Sequence, residues 1–203
     1  MPDTDAPANP LLVSTRNAHK VVEIRAILGP RFLVSDLTSV PAMPEIEETG
    51  DTFEENATLK AVAASLCFDG WVIADDSGLE VDALGGAPGV RSARYAGGQS
   101  NDIANNALLL RNLLPFQGPE RSARFRCVIA LARNGRKHAV FSGAVEGTII
   151  DSPRGEGGFG YDPLFVPHGH HQTFAQLGSG IKNGLSHRSR ALRALENWMK
   201  KPA

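Results

Sequence analysis

The order of the apolar segments is the feature that most constrains the fold of this 203-residue chain. Short apolar runs at 11–14, 32–35 and 71–74 are typical of buried strands, and segments of helical character lie between them. Asn134-Gly135 is favoured in tight β-turns and predicts a long hairpin. Alternating strands and helices followed by a hairpin predict the α/β class, with a mixed β-sheet flanked by helices.

Helix signals define the first half of the chain more closely. Thr15 and Asn17 can cap a first helix, on which Val21, Ile24 and Leu28 share one face. Asp51, with Glu54 three residues later, resembles the capping box of a second helix. Later elements are predicted as follows: the second helix ends near Phe68, a strand ends at Asp75-Asp76, 79–100 form a long loop, 101–114 a helix, 121–133 a strand, and a last helix starts near Ser186.

Composition limits the possible function classes. Lys and Arg number 21 and Asp and Glu 22, so the formal net charge of -1 gives no global basic field for nucleic acid. No apolar stretch is long enough to span a bilayer, and no signal-peptide pattern is present. We therefore expect a cytoplasmic protein without nucleic-acid or membrane partners. Residues 1–9 are expected to be a disordered tail and 10–201 a single domain, with Cys67 and Cys127 as buried thiols.

The strand–turn–helix at 11–20 is a candidate anion site. Backbone amides and the dipole at a helix N-terminus favour negative charge, and Thr15, Asn17 and Lys20 add donors and one charge. No Gly-x-x-x-x-Gly-Lys-Ser/Thr loop occurs in the chain. The alternative is an ordinary capped helix with a solvated Lys20.

Two groups of carboxylates could bind a metal. One is Glu45, Glu47 and Glu48 in an acidic loop, and the other is Asp75-Asp76 at a strand end. Mg2+ prefers oxygen ligands and shares them with substrate phosphates. Neighbouring strand residues point to opposite faces, so one aspartate can bind metal or water while the other braces the loop. For the glutamates, a solvated acidic loop is the alternative.

A glycine-rich loop and a basic helix start are candidates for binding a flat ligand. Residues 155–160 satisfy Gly-x-Gly-x-x-Gly, but Pro163 opposes the helix that a dinucleotide fingerprint needs. The glycines instead permit close backbone approach, and Phe159 could stack on a base. Lys182, His187 and Arg188 surround the last helix start, where the dipole does not favour cations. A solvated helix start is the alternative for them.

Together these segments resemble the inosine triphosphate pyrophosphatase family, in its bacterial branch. The matching stretches keep the family's order and cover nearly the whole chain beyond the tail. They are 15–20 (Thr-Arg-Asn-Ala-His-Lys) with Glu23, 47–57 with Lys60, 74–90 (beginning Ala-Asp-Asp-Ser-Gly), 92–95, 157–163 (Gly-Gly-Phe-Gly-Tyr-Asp-Pro) and 186–188 (Ser-His-Arg).

The resemblance implies an elongated, two-lobed fold with a central active-site cleft, and a homodimer. It implies Mg2+-dependent hydrolysis of the triphosphates of inosine, deoxyinosine and xanthosine to the monophosphate and pyrophosphate, which removes them from the nucleotide pool. Glu47 and Asp76 would be metal ligands, with Asp76 the general base that orients the attacking water.

The family's substrate contacts map onto two groups of positions. The triphosphate would be held by Thr15, Arg16, Asn17, Ala18, His19, Lys20 and Lys60. The rest of the nucleotide would contact Ser77, Phe159, Gly160, Tyr161, Asp162, Lys182, His187 and Arg188. The chain departs from the family pattern at Arg16 and His19, where many relatives have small residues, and at Gln176 and Ile181, which replace acids.

Three rival functions differ in testable ways. A Maf-type enzyme would act on modified pyrimidine triphosphates, but 157–162 and Ser186-His187-Arg188 argue against it. A nucleotide-binding regulator would not turn substrate over, and the complete set of Lys20, Glu47 and Asp76 argues against that. A nucleic-acid-binding module finds little support in the net charge.

Overall fold

The structure is a computed structural model that describes residues 9–40, 43, 46–98 and 100–200. Within these residues it has six strands and five α-helices. The strands are β1 Asn9–Val13, β2 Phe32–Asp36, β3 Trp71–Val81, β4 Ser122–Arg133, β5 Arg136–Ile149 and β6 Phe165–Pro167. The helices are α1 Ala18–Leu28, α2 Phe53–Ala64, α3 Asp102–Asn112, α4 Phe174–Leu185 and α5 His187–Met199.

The strands form one mixed sheet in the order β2-β1-β3-β4-β5-β6. β1 pairs in parallel with both β2 and β3, whereas β5 and β6 are antiparallel. Asn134 and Gly135 both have positive φ, as a tight turn between β4 and β5 requires. The predicted α/β class, with a mixed sheet and flanking helices, is confirmed.

The chain divides into two compact units. The first contains Met1–Asp75, Val128–Phe141 and Leu192–Ala203, and the second contains Asp76–Cys127 and Ser142–Ala191. Residues 1–8 of the expected tail lie outside the described residues, and Asn9 begins β1. The assignment of 10–201 to a single domain stays a prediction.

The core of the first unit forms around β1. Leu11, Leu12 and Val13 are all fully buried, as expected for a strand between two parallel neighbours. Val21, Ile24 and Leu28 are the buried residues of α1, which confirms the predicted face. Further packing comes from an edge-to-face contact between Trp71 and Trp198, whose ring centroids are 5.9 Å apart.

The second unit has its own apolar cluster. Leu79 and Val81 of β3 are fully buried in it, together with Leu109 of α3 and Leu113, which caps the C-terminus of that helix. Aromatic rings complete the cluster, since Phe125 packs edge-to-face on Phe165 at 4.8 Å between centroids. Because this cluster anchors the C-terminal half of α3, the first turn of that helix remains available for other contacts.

The second helix starts one residue later than predicted. Thr52, not Asp51, is the N-cap: its hydroxyl accepts from Glu55 N, and the Glu55 carboxylate accepts from Thr52 N at 3.0 Å. Both residue pairs have the right spacing, and the sequence alone does not rank them. The helix ends at Ala64 rather than near Phe68.

The predicted end of β3 and the predicted long loop after it are both wrong. β3 continues through Asp75 and Asp76 to Val81, and 79–100 contain the 3-10 helices Asp82–Leu84 and Gly89–Arg94. The alternation of buried Leu79 and Val81 around half-buried Glu80 is a strand signal that the surrounding glycines obscured. α4 was missed, because its helical pattern is interrupted at Gly178, which is non-helical with φ of 76°.

Two further expectations have clear outcomes. Cys127 is buried as predicted, but Cys67 is exposed because it lies beyond the end of α2. Among the described residues, no helix combines the length and apolar character needed to cross a bilayer.

The capping assignment can be tested by stability measurements. Thr52→Ala removes the acceptor for Glu55 N and is expected to lower the free energy of unfolding by about 1 kcal/mol. Asp51→Ala, the matched control, is expected to change it by less than about 0.5 kcal/mol. Urea unfolding followed by circular dichroism measures both. A larger loss in the Asp51 variant would contradict the assignment.

Candidate functional site

The segment between β1 and α1 forms a capped helix start in the first unit. Asn17 Oδ1 accepts from His19 N at 2.9 Å and from Lys20 N at 3.2 Å, and Asn17 N donates to Thr15 Oγ1 at 3.2 Å. Arg16, Asn17, Ala18 and His19 are exposed. Of the two predicted capping residues, Asn17 is the N-cap, and four of the predicted triphosphate residues lie exposed at this helix start.

Lys20 and Lys60 meet at Asp75. The fully buried Asp75 side chain forms an ion pair with Lys20, with Oδ1 and Nζ 2.5 Å apart. Lys60 Nζ donates to the main-chain oxygen of Asp75 at 3.0 Å and to Glu48 Oε1 at 2.6 Å. Two lysines predicted to neutralise phosphates are thus fixed at one residue, and each is paired with a carboxylate. Sequence reasoning missed Glu48 as a partner, because only tertiary structure brings it to Lys60.

A cleft of about 400 Å³ adjoins this turn within the first unit. Thr15, Arg16 and Ala18 line one part of it, and the Arg25–Asp36 ion pair, with Nη2 and Oδ2 3.0 Å apart, lies in its lining. The exposed side chains of the turn therefore border a space into which an anionic ligand can enter.

Asp76 and Ser77 begin the second unit with one buried and one half-buried side chain. Asp76 is 6% exposed. Ser77 Oγ accepts from Arg188 Nη2 at 3.0 Å. Asp75 is held by Lys20, and the metal-binding role of Asp76 stays a prediction.

Phe159 is flanked by two buried cations in the second unit. Lys182 Nζ lies 4.6 Å from the centre of the Phe159 ring, and the Arg188 guanidinium carbon lies 5.9 Å from it. Arg188 is 1% exposed and Lys182 4%, with His187 also buried. The alternative of a solvated basic helix start is therefore wrong. Burying three such residues is costly unless their polar groups are used.

Asp162 connects Lys182 to the glycine-rich loop. Its Oδ2 lies 2.5 Å from Lys182 Nζ and accepts from Phe159 N at 2.9 Å. Gly158, with φ of 75°, leaves room for this carboxylate, because a Cβ there would collide with Asp162 Oδ2. The loop conformation and the buried ion pair therefore depend on each other.

Tyr161 and His187 pack into the second unit rather than lying on its surface. The Tyr161 hydroxyl donates to Ser92 O at 2.8 Å. Burial, with smaller effects of Tyr95 and Asp102, raises the pKa of this hydroxyl far above its usual value, so it remains a donor. The His187 ring stacks on Phe125 with centroids 4.9 Å apart. Both side chains are therefore part of the interior of the second unit.

The acidic residues suit a Mg2+ ion only if substrate phosphates supply some of its ligands. Glu47 is exposed, and Glu45 lies outside the described residues. No three or more His, Cys, Asp or Glu side chains among the residues that the structure describes are grouped so that they could hold a metal. Mg2+ that arrives with phosphates needs only one or two carboxylates, and the buried Asp76 carboxylate suits that arrangement.

The match to known proteins covers almost all of this structure. The sequence model described as the Ham1 family matches residues 11–198. The chain belongs to the Ham1 family. It is 50% identical over 186 residues to the dITP/XTP pyrophosphatase of Bacillus licheniformis, covering 91% of this chain and 95% of that protein. The dITP/XTP pyrophosphatase of Geobacter sulfurreducens is 52% identical over 190 residues, covering 93% and 96%.

A solved structure supports the same membership. The HAM1 protein of Coxiella burnetii superposes on this chain with a TM-score of 0.85 at 38% identity, covering 96% of this chain and 100% of that one. The predicted resemblance to inosine triphosphate pyrophosphatases is confirmed at the level of the family. The roles of individual residues stay predictions.

The contribution of the Lys182–Asp162 ion pair to stability can be measured in this member of the Ham1 family. Lys182→Met leaves the buried Asp162 carboxylate without its cation and is expected to cost about 3–5 kcal/mol of unfolding free energy. The double variant Lys182→Met/Asp162→Asn is expected to recover a large part of that loss. Urea unfolding of both single variants and the double variant measures the coupling. Additive losses would show that the two groups do not interact.

Proposed function

We propose that this Ham1 family member hydrolyses non-canonical purine nucleoside triphosphates, namely those of inosine, deoxyinosine and xanthosine, to the monophosphate and pyrophosphate. The names of the relatives from Bacillus licheniformis and Geobacter sulfurreducens support this substrate class. The observation that carries it here is the buried Arg188, which donates to Ser77 and lies near the Phe159 ring. An aromatic face beside fixed donors suits a flat base with keto groups.

Hydrogen-bond direction provides the base selectivity in this proposal. Hypoxanthine and xanthine carry a 6-keto acceptor where adenine carries an amino donor. Arg188 supplies N–H donors at all relevant pH values, and His187 starts the same helix. Bound adenine would leave a buried donor unpaired, at a cost of roughly 1–3 kcal/mol per group.

The phosphate end is assigned to the first unit's turn and lysines. A nucleoside triphosphate carries about four negative charges, which cations and amide donors must offset. Lys20 and Lys60 are held by Asp75 and Glu48, so their ammonium groups are already fixed. The family resemblance assigns Thr15, Arg16, Asn17, Ala18 and His19 to the same phosphates, and all but Thr15 are exposed.

Asp76 acts as the general base in this proposal. It takes a proton from a water molecule whose oxygen attacks the α-phosphorus, while the bond from that phosphorus to the bridging oxygen breaks and pyrophosphate leaves. Mg2+, bound with the nucleotide by Glu47 and Asp76, would neutralise phosphate charge. A buried carboxylate suits the role, since it holds a fixed position. The homodimer, which rests on the family resemblance, and the cytoplasmic location, which rests on the sequence alone, belong to this proposal.

The direct experiment is a product assay over a panel of triphosphates. Purified protein is incubated with ITP, dITP, XTP, ATP, GTP, UTP and modified pyrimidine triphosphates, with Mg2+ or with EDTA. Pyrophosphate release from the first three, abolished by EDTA, is the expected result. Preference for a modified pyrimidine would favour the Maf-type alternative, and binding without release would favour a regulator.

Replacement of the proposed base is expected to abolish most turnover. Asp76→Asn keeps the shape but cannot accept the proton, so kcat for ITP should fall by about 10²–10⁴-fold. Asp69→Asn, an exposed position in the turn before β3, is the matched control and should keep normal kcat. Thermal unfolding verifies that both variants are folded. Near-normal kcat in Asp76→Asn would remove Asp76 from this role.

The selectivity argument predicts a specific loss in Arg188→Lys. Lysine keeps the charge but lacks the planar, multiple N–H donors, so the ratio of kcat/KM for ITP over ATP should fall by about tenfold or more. Ser77→Ala removes only the hydroxyl that accepts from Arg188 and should give a smaller decrease. An unchanged ITP/ATP ratio in Arg188→Lys would contradict the assignment of Arg188 to the base.

A further inference from the structure

α3 holds Gly160 by both of its backbone polar groups. Asp102 Oδ2 accepts from Gly160 N at 2.6 Å, and Asn106 Nδ2 donates to Gly160 O at 3.0 Å. The two side chains are four residues apart, so they lie on the same face of the helix. One helix turn thus contacts both sides of a single glycine.

These contacts fix the peptide planes around Phe159. Asp102 holds the peptide between Phe159 and Gly160, and Asn106 holds the next peptide. Asp162 holds the preceding peptide through Phe159 N. Gly160 has a left-handed conformation with φ of 63°. Without these hydrogen bonds, a glycine could adopt many other conformations. Three consecutive peptides are therefore oriented by side chains, and the direction of the Phe159 ring follows from them.

The two α3 residues are not needed to build the core. Asp102 is exposed and Asn106 half-buried, whereas α3 is anchored by the fully buried Leu109 and Leu113. Their replacement removes one hydrogen bond each and little apolar contact. The consequence should therefore be concentrated at Gly160.

We propose that Asp102 and Asn106 are positioning residues that set the Phe159 ring as the platform for the nucleotide base. This inference rests on the proposed function, which assigns Phe159 to the base. It adds two residues that do not touch the substrate and act through the Gly160 backbone.

The test compares substitutions of α3 residues whose side chains have different hydrogen-bond partners. Asp102→Ala and Asn106→Ala remove the Gly160 contacts, whereas Asp102→Asn keeps an acceptor. Asn112→Ala is the matched control, because Asn112 is also half-buried on α3 and donates one side-chain hydrogen bond, to Tyr95 Oη at 2.8 Å. Steady-state kinetics with ITP and competitive inhibition by inorganic triphosphate are measured for each variant.

Loss of the platform should weaken base binding and spare phosphate binding. KM for ITP is expected to rise about tenfold in both alanine variants, with kcat changed by less than about twofold. The inhibition constant of inorganic triphosphate should not change, and Asp102→Asn and Asn112→Ala should resemble the wild type. An unchanged KM in both alanine variants would overturn the inference, as would parallel increases in KM and in the inhibition constant.

Hydrogen exchange separates this inference from the proposed function. In the ligand-free protein, a peptide covering 155–163 should exchange faster in Asp102→Ala and Asn106→Ala than in Asn112→Ala. If the wild type does not hydrolyse ITP, the proposed function fails, and faster exchange would still support the hold on Gly160. Unchanged exchange would overturn the hold itself. Faster exchange with unchanged KM would show that Phe159 is not the base platform.

Discussion

The ion pair between Lys20 and Asp75 is the interaction on which the turn before α1 depends. The Asp75 side chain is fully buried in β3, where a carboxylate is tolerated only if a cation or strong donors satisfy it. Lys20 must therefore turn toward the strand, and this fixes the start of α1 and the exposed turn before it. Lys60 donates to the main-chain oxygen of the same residue and also to the carboxylate of Glu48.

The second unit meets the same physical constraint with the charges reversed. Here cations are buried, and Asp162 satisfies one of them while its other contact shapes the glycine-rich loop. Arg188 is almost completely enclosed and donates to Ser77, directly after Asp76 in β3. In each unit, one member of a buried ion pair therefore lies close in the chain to residues that are assigned to the substrate.

Local signals in the sequence predicted much of the fold. The face of α1 was correct because Val21, Ile24 and Leu28 follow helical spacing, and the hairpin was correct because Asn134-Gly135 suits only a few turns. The sequence does not predict α4, because Gly178 interrupts its helical pattern. The N-cap of α2 was predicted one residue too early, because Asp51 and Thr52 are both residues that can cap a helix. In both cases tertiary contacts decide what local preference leaves open.

Sequence motifs predict the candidate site residues, but they do not predict the contacts between those residues. Lys20 and Asp75 are separated by more than fifty positions in the chain, and no local pattern pairs them. The hydrogen bonds from α3 to Gly160 could not be predicted for the same reason. From its local sequence, Asp102 is interpreted only as an acid that stabilises a helix start.

The setting of Phe159 has a consequence for the thermodynamics of association. Three consecutive peptides around it are oriented by side chains, and two cations lie near its ring. Ordering a mobile side chain on binding typically costs about 0.5–1.5 kcal/mol, and a preorganised ring avoids most of that entropy loss. In the proposed role of Phe159, favourable stacking energy on a base would then be retained as affinity, and discrimination between bases would appear mainly in their dissociation rates.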